Sequence, residues 1–347
     1  MSSTPIANGS TKPCSLEPSP KIFSLENSEN SCILLSMRGP RWLFFGALLG
    51  CTVMASASFE MVMVLDKGTK SIKRYDPETG AYLGEFAKNR FFNATSMSVD
   101  PSRNRVYVGD TDTALGYTVI HAFNYNTGEK VAQYYSAGWY GAYGLIARGD
   151  NAYFLDASPT PRLLQFNTTQ TNPTSTVTTL LLNNAGATVS NRNQGVAIGN
   201  DLYWSSSTEL SKFSLSTSSY FPSVVAGAFA GAARAVSGEV LVGFSGGGLI
   251  NLYTSLGNYA GGSIIPTATS VRAVASGHFE HYALANTPGG FVIARQNSVY
   301  PFNHLGTFGL GTMNDPAFMG VVTAPEPSTM VVAGLGIAAM LRRRKSK

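Results

Sequence analysis

His278-Phe279-Glu280-His281 is the densest group of side chains in this sequence able to ligate a metal or move a proton. On a helix the two histidines would share a face and could hold zinc. The flanking residues instead read as a turn leading into a strand, where 278 and 280 share a side and 281 points away. Asp110 with Asp112, or Asp150 with Asp156, could form the acid/base pair of a glycoside hydrolase, which needs carboxyls about 5–9 Å apart. Each lies between apolar runs beside turn residues, where Asp is a turn-former. Asp110-Thr-Asp112 lacks the further oxygen ligands of a calcium loop. Ser245-Gly-Gly-Gly248 lacks the helix and the Lys-Ser or Lys-Thr that complete a phosphate cradle. His121 and His304 are isolated. No catalytic residue, metal or cofactor is assigned. Trp139, Tyr140 and Tyr143, in a cluster with Tyr134, Tyr135 and three glycines, are candidates to stack on sugar rings, with core packing as the competing reading.

The segments that must position these groups are strands. Met61–Leu65, Ser71–Tyr75 and Tyr82–Phe86 are short apolar or alternating runs separated by Asp66-Lys-Gly68 and Asp76-Pro-Glu-Thr-Gly80. No stretch of helical period precedes Thr329. The strands recur in sets starting near 98, 144, 195, 234 and 272, a spacing of about 40–50 residues that is the period of a four-stranded propeller blade. The first set, 61–86, lacks an innermost strand, and Pro316–Thr323 is placed to supply it from the far end. The expected fold is all-β, a propeller of six blades, or seven if 168–194 hides strands; a two-sheet sandwich is the alternative.

Both ends read as addresses. Met37 and Arg38-Gly-Pro-Arg41 precede an apolar run, Trp42–Val53, and then Ala55-Ser56-Ala57. A cationic start, an h-region and small residues at −3 and −1 describe a signal peptide cut after Ala57, with a signal helix within 37–57. Leu48-Leu-Gly-Cys51 as a lipoprotein box is the competing reading. Residues 1–36 are polar and aperiodic, disordered if made, with translation from Met37 the simpler account. At the other end come Pro325-Glu326-Pro327-Ser328, an apolar run from Thr329 to Leu341, and Arg342-Arg343-Arg344-Lys345. A helix over that run is roughly 20 Å long, short against a hydrocarbon core of about 30 Å. The cations stop translocation and stay cytoplasmic, so the segment is a transient insertion; an ordinary membrane anchor is the alternative.

The net charge of +5 belongs to the two ends: Ser58–Thr323 holds 16 basic and 16 acidic residues, and nothing in it argues for a nucleic-acid partner, since phosphate binding requires a concentration of positive charge. All three cysteines precede residue 58, so disulfide and thiolate chemistry are excluded from the domain.

The tail closely resembles the PEP-CTERM sorting signal of Gram-negative bacteria that export polysaccharide-rich extracellular material. Pro325, Glu326, Pro327 and Ser328 match its motif, and Arg342, Arg343, Arg344 and Lys345 lie at the expected distance. The resemblance implies export through the secretion translocon and processing by an exosortase-type membrane transpeptidase, then residence at the cell surface or in the matrix. Val64–Gly80 and Val99–Val108 resemble blades of NHL-like and surface-protein-like propellers, a fold that hosts binders and enzymes alike. The expected domains are 37–57 signal peptide, 58–323 propeller and 324–347 sorting signal. The expected role is a non-catalytic binder or scaffold with exopolysaccharide as partner and no nucleic acid; the alternative is an extracellular propeller hydrolase or lyase acting on glycans or lactones.

Overall fold

A strand that is apolar at every position, not at every second one, must be covered on both faces. Val62, Met63, Val64 and Leu65 form such a run and all are fully buried. Face-to-face stacking of small sheets meets that demand. The computed structural model describes residues 58–112, 117–136, 138–170, 177–182, 192–234, 238–278, 280–298 and 302–325. The expected signal helix and C-terminal hydrophobic helix lie outside these residues, and no described helix is long and apolar enough to cross a membrane.

The chain opens with β1 (Ser58–Asp66), β2 (Ser71–Tyr75) and β3 (Tyr82–Phe86). Blade 2 follows as β4 (Ala94–Asp100), β5 (Arg105–Asp112), β6 (Tyr117–Asn124) and β7 (Lys130–Ser136). Blade 3 is β8 (Ala142–Arg148), β9 (Asn151–Asp156), β10 (Arg162–Asn167) and β11 (Val177–Leu182). Blade 4 comprises β12 (Arg192–Ile198), β13 (Asp201–Ser206), β14 (Glu209–Ser214) and β15 (Ser219–Ala226). In blade 5 the strands are β16 (Phe229–Arg234), β17 (Val240–Phe244), β18 (Leu249–Tyr253) and β19 (Tyr259–Ile264). Blade 6 has β20 (Ser270–Ser276), β21 (Glu280–Thr287), β22 (Gly290–Asn297) and β23 (His304–Phe308). The last strand, β24 (Pro316–Pro325), returns to β1. Each blade is one antiparallel four-stranded sheet, and blade 1 has the order β24-β1-β2-β3.

The fold is therefore a six-bladed β-propeller, closed as expected by the far end of the chain. A seventh blade and a sandwich are both ruled out: among the described residues the region 168–194 contributes only β11, the outer edge of blade 3, and the start of β12. The fourth strand of blade 6, expected at Val299–Phe302, is instead His304–Phe308; residues 299–301 lie outside the described set. The expected sets for blades 4 and 5 stop at the third strand, because in the outer strands β15 and β19 half of the residues are exposed and at most one is buried, which leaves no alternating pattern.

One apolar cluster fills each interface between neighbouring blades. Met63, Leu65 and Phe86 meet Met97 and Val106 between blades 1 and 2. Tyr107 and Tyr134 meet Trp139, Phe154 and Phe166 between blades 2 and 3. Ile146 and Leu155 meet Trp204 and Phe213, and Tyr203 meets Phe229 and Val240. Leu241 and Ile250 meet Val274 and Ala283, and Ala275 and Tyr282 meet Val62, Val64 and Met319.

The innermost strands all begin on one face, called upper here, and end on the other, lower face. β24 and β1 pair over nine residues, from Asp66↔Pro316 above to Ser58↔Pro325 below. Both ends of the described fold thus lie together on the lower face. Close approach of β24 to β4 requires Gly320, where a Cβ would collide with the Val99 side chain. Gly320→Ala is expected to destabilise the closed ring by about 1–3 kcal/mol through overpacking, read as a lower thermal midpoint by circular dichroism. An unchanged midpoint would show that the seam between blades 1 and 2 is not tightly packed.

Candidate functional site

Three buried carboxylates organise the upper face. Asp66, Asp110 and Asp156 each pair in register with the first residue of their blade's innermost strand: Pro316, Ala94 and Ala142. From that shared position each carboxylate captures the backbone that leads into the strand. Asp66 accepts from the N–H groups of Asn314 at 2.8 Å and Asp315 at 2.9 Å, and from Gly68 and Thr69 in its own turn. Asp110 accepts from Phe92 at 3.0 Å and Asn93 at 2.7 Å. Asp156 accepts from Tyr140 at 2.7 Å and pairs with the Arg162 guanidinium. In blade 4 the position falls to Ser206, which accepts from Thr208 and Glu209.

These bonds set the ionisation of Asp66 and Asp110. Burial pushes the Asp66 carboxyl upward, but the Asn314 and Asp315 amides and the Lys73 ammonium at 3.0 Å outweigh it and hold it below the ordinary carboxylate value. For Asp110 burial also acts upward, and His121 with the Phe92 and Asn93 amides brings the net shift downward.

The glycosidase pairs expected as one option do not form. Asp156 and Asp150 flank β9 at its two ends, roughly 20 Å apart at about 3.3 Å per residue, with Asp150 held by Arg103 on the lower face. Asp110 is committed to the loop; the Asp112 side chain lies outside what is described. The turn-forming reading of Asp110 and Asp156 is the one the geometry supports. Their repeated place at or near the end of the second strand of the sheet, in Val-Leu-Asp66, Val-Gly-Asp110 and Phe-Leu-Asp156, is written in the sequence as an internal repeat, which pairing carboxylates by proximity alone does not bring out.

His278 is exposed on the lower face, and Glu280 is engaged with Arg295 at 2.6 and 2.8 Å. His281 points the other way into the core, as strand alternation requires, with Nδ1 3.0 Å from the Ser276 hydroxyl. Burial pushes its imidazole down to about 4. No group of three or more potential metal ligands occurs among the described residues. Ser245–Gly248 forms the turn between β17 and β18.

The aromatic candidates separate. Trp139 is 3% exposed and stacks edge-on against Phe154 with centroids 4.8 Å apart, so its ring is interblade core and not a sugar platform. Tyr140, its neighbour, is 58% exposed, and Tyr143 is half-buried beside Trp204. A residue missed in the sequence is Phe92, which is 66% exposed and occupies in blade 2 the place Tyr140 has in blade 3, two residues before the innermost strand.

On the ring axis a cavity of about 630 Å³ lies toward the lower face. Met97, Ile146, Val196 and Met319 supply apolar wall, with Ser98, Ser276 and Arg148 as polar groups; no carboxylate or imidazole lines it among the described residues. Gln194 crosses the axis from blade 4. Its amide nitrogen donates to the carbonyls of Val274 at 2.9 Å and Met319 at 3.0 Å, and its oxygen accepts from Val274 N–H at 3.3 Å. One buried side chain thereby ties blade 4 to blades 6 and 1 and obstructs the channel.

Residues 323–345 match the PEP-CTERM protein-sorting motif. The chain therefore carries the mark of an exported protein processed by an exosortase, a membrane enzyme. No curated protein matches the chain in sequence. Many solved structures share its fold. A chain of a nidogen/laminin complex aligns with a TM-score of 0.60 at 12% identity, over 76% of this chain and 98% of that one. TolB from Acinetobacter baumannii aligns at 0.56 and 12%, over 80% and 69%. A protein of unknown function from Bacteroides caccae aligns at 0.57 and 11%, over 76% and 99%. At these identities the likeness is one of fold alone.

Two outcomes follow from the polar interior. Gln194→Ala strands buried backbone groups at about 1–3 kcal/mol each and is expected to lower the thermal midpoint. Acid stability should fall in two windows. His281 is depressed to about 4 against an unfolded value near 6.5, so the unfolded chain gains the proton first and stability declines from about pH 6.5 to 4. Asp66 and Asp110 contribute stability that is complete above the unfolded carboxylate value and is lost as pH falls further through their lowered values. Urea titrations between pH 8 and pH 2 read both; His281→Gln should flatten only the upper window, and Asp110→Asn only the lower.

Proposed function

We propose that this is a protein of the cell surface or extracellular matrix of a Gram-negative-type bacterium, with a non-catalytic binding or scaffold role toward exopolysaccharide. It is exported through the secretion translocon, held briefly in the membrane by its tail and released by an exosortase-type transpeptidase. The observation that carries the reading is the contrast between axis and upper face. On the axis, where all blades converge, Gln194 bars the channel above an apolar and serine-lined cavity. On the upper face, exposed rings stand on loops fixed by buried carboxylates. Fixed rings and rigid loops suit recognition without chemistry.

The placement of the ends supports the address reading. Cleavage after Ala57 would leave Ser58, the first residue of β1, as the new terminus and keep the ladder to β24 whole. The motif begins at Pro325, the last residue of β24, so its remaining residues follow directly from the fold.

The test is a glycan array on the secreted protein, run beside turnover assays on the bound glycans and on lactones. Binding without turnover is expected; cleavage of a bound glycan or lactone would replace this reading with the enzymatic one. For sorting, alanine at Pro325, Glu326 and Pro327 in the producing cell should leave a membrane-associated product whose mass still includes Arg342–Lys345, whereas the native product lacks them.

A further inference from the structure

Between blades 1 and 2 the upper face holds a recess of about 260 Å³, lined by Leu65, Asp66, Lys67, Lys70, Phe91–Ala94 and Asp315. Two clamped backbone segments form its walls. The β1–β2 turn is held by Asp66 through the Gly68 and Thr69 amides. The loop into β4 is held by Asp110 through the Phe92 and Asn93 amides, and is tied to the turn by the Asn89 N–H donating to the Lys70 carbonyl at 2.9 Å. The recess is thus preorganised by groups buried beneath it.

Its charge does not cancel. Asp66 is already matched by Lys73 and by backbone donors, and Asp315 by Arg272 at 2.6 Å. Lys67 and Lys70 form no ion pair with another described residue, leaving two cationic heads at the mouth. Beside them Phe92 keeps two thirds of its surface in water, although apolar area of that size is costly to expose. Tyr140 repeats the arrangement one blade on, again with its N–H on a buried carboxylate. Both rings face away from the end where the chain leaves the fold, since Ser58 and Pro325 pair on the lower face.

We propose that this recess binds a carboxylated sugar of an acidic polysaccharide, with the carboxylate between Lys67 and Lys70, the sugar ring on Phe92, and the polymer continuing toward Tyr140. The proposal rests on the polysaccharide-binding reading above and assigns its site and charge class. Flat apolar rings meet the C–H face of a pyranose, and ammonium groups meet its carboxylate as point charges. The chain leaves the fold on the lower face, so the upper one stays open to a polymer.

The experiment is isothermal titration of the full chain in detergent with mannuronate oligosaccharides and, at equal length, with dextran oligosaccharides. Mannuronate oligomers should bind more tightly than dextran, and less so as salt rises. Lys67→Gln with Lys70→Asn should weaken mannuronate binding about tenfold or more and flatten its salt dependence; Asn suits the left-handed backbone at Lys70, where φ is +51°. Phe92→Ala should weaken binding by a similar factor with the salt dependence kept, and Tyr140→Ala should weaken only the longer oligomers. Lys70, Phe92 and Tyr140 are exposed and Lys67 is half-buried, so thermal midpoints should stay level and mark the variants as folded. Equal affinity of the folded variants and the native chain for mannuronate would overturn the site while leaving polysaccharide binding intact. Dextran bound as tightly as mannuronate would overturn the charge class. Binding of neither glycan would remove the polysaccharide reading itself.

Discussion

Nine paired residues between β24 and β1 hold the whole architecture. A propeller has no stable partial form of the same kind, because each apolar cluster needs a blade on either side. The clusters flanking blade 1 draw on Met319, Phe318 and Val322 from the last strand as well as Val62 to Leu65 from the first. Until residue 316 meets residue 66, the inner edge of β1 is unpaired and its Val62 and Val64 face lacks the Met319 side chain that completes its cluster. Closing a loop of some 250 residues costs on the order of 5 kcal/mol in chain entropy, which the ladder and two completed clusters must exceed.

The polar interior works to the same end. Asp66 joins the first strand to the segment just before the last, and Glu60 accepts from Tyr282 at 3.0 Å and from the His278 amide, joining blade 1 to blade 6 at the lower face. Gln194 reaches across the axis from the opposite side of the ring. A carboxylate buried alone would be prohibitively costly; each of these is surrounded by donors that exist only when two distant parts of the chain meet. Asp66 also holds the β1–β2 turn of the upper face, which links that turn to ring closure, whereas Asp110 and Asp156 fix the loops bearing Phe92 and Tyr140 by contacts close in sequence.

Much of this architecture is legible in the order of the residues. Strands covered on both faces write unbroken apolar runs such as Met61–Leu65, and turns such as Asp76–Gly80 punctuate them, so inner strands, blade period and closure are all readable. Outer strands are not: β15 and β19 pair with one neighbour only and leave half of their residues exposed, which frees their sequence from a strict pattern. Trp139 and Tyr140 show a second limit. Adjacent in sequence and equally aromatic, they part into core and surface because the chain is turning into β8, and nothing in residue type records which way each ring goes. The equivalence of Phe92 with Tyr140 emerges only from the register that sets Asp110 against Ala94 and Asp156 against Ala142.

The common exit of the two ends has a mechanical consequence. A pull on the chain beyond Pro325 runs along the axis of β24, and the strand beside it runs antiparallel from Ser58. Such a force loads the hydrogen bonds in shear, all rungs together, instead of peeling them one at a time from an edge. With β24 innermost and flanked by β4 and β20, it cannot swing outward to let the rungs open in sequence. A ring sewn shut in this way resists drag at its stem better than a fold whose last strand lies on the rim.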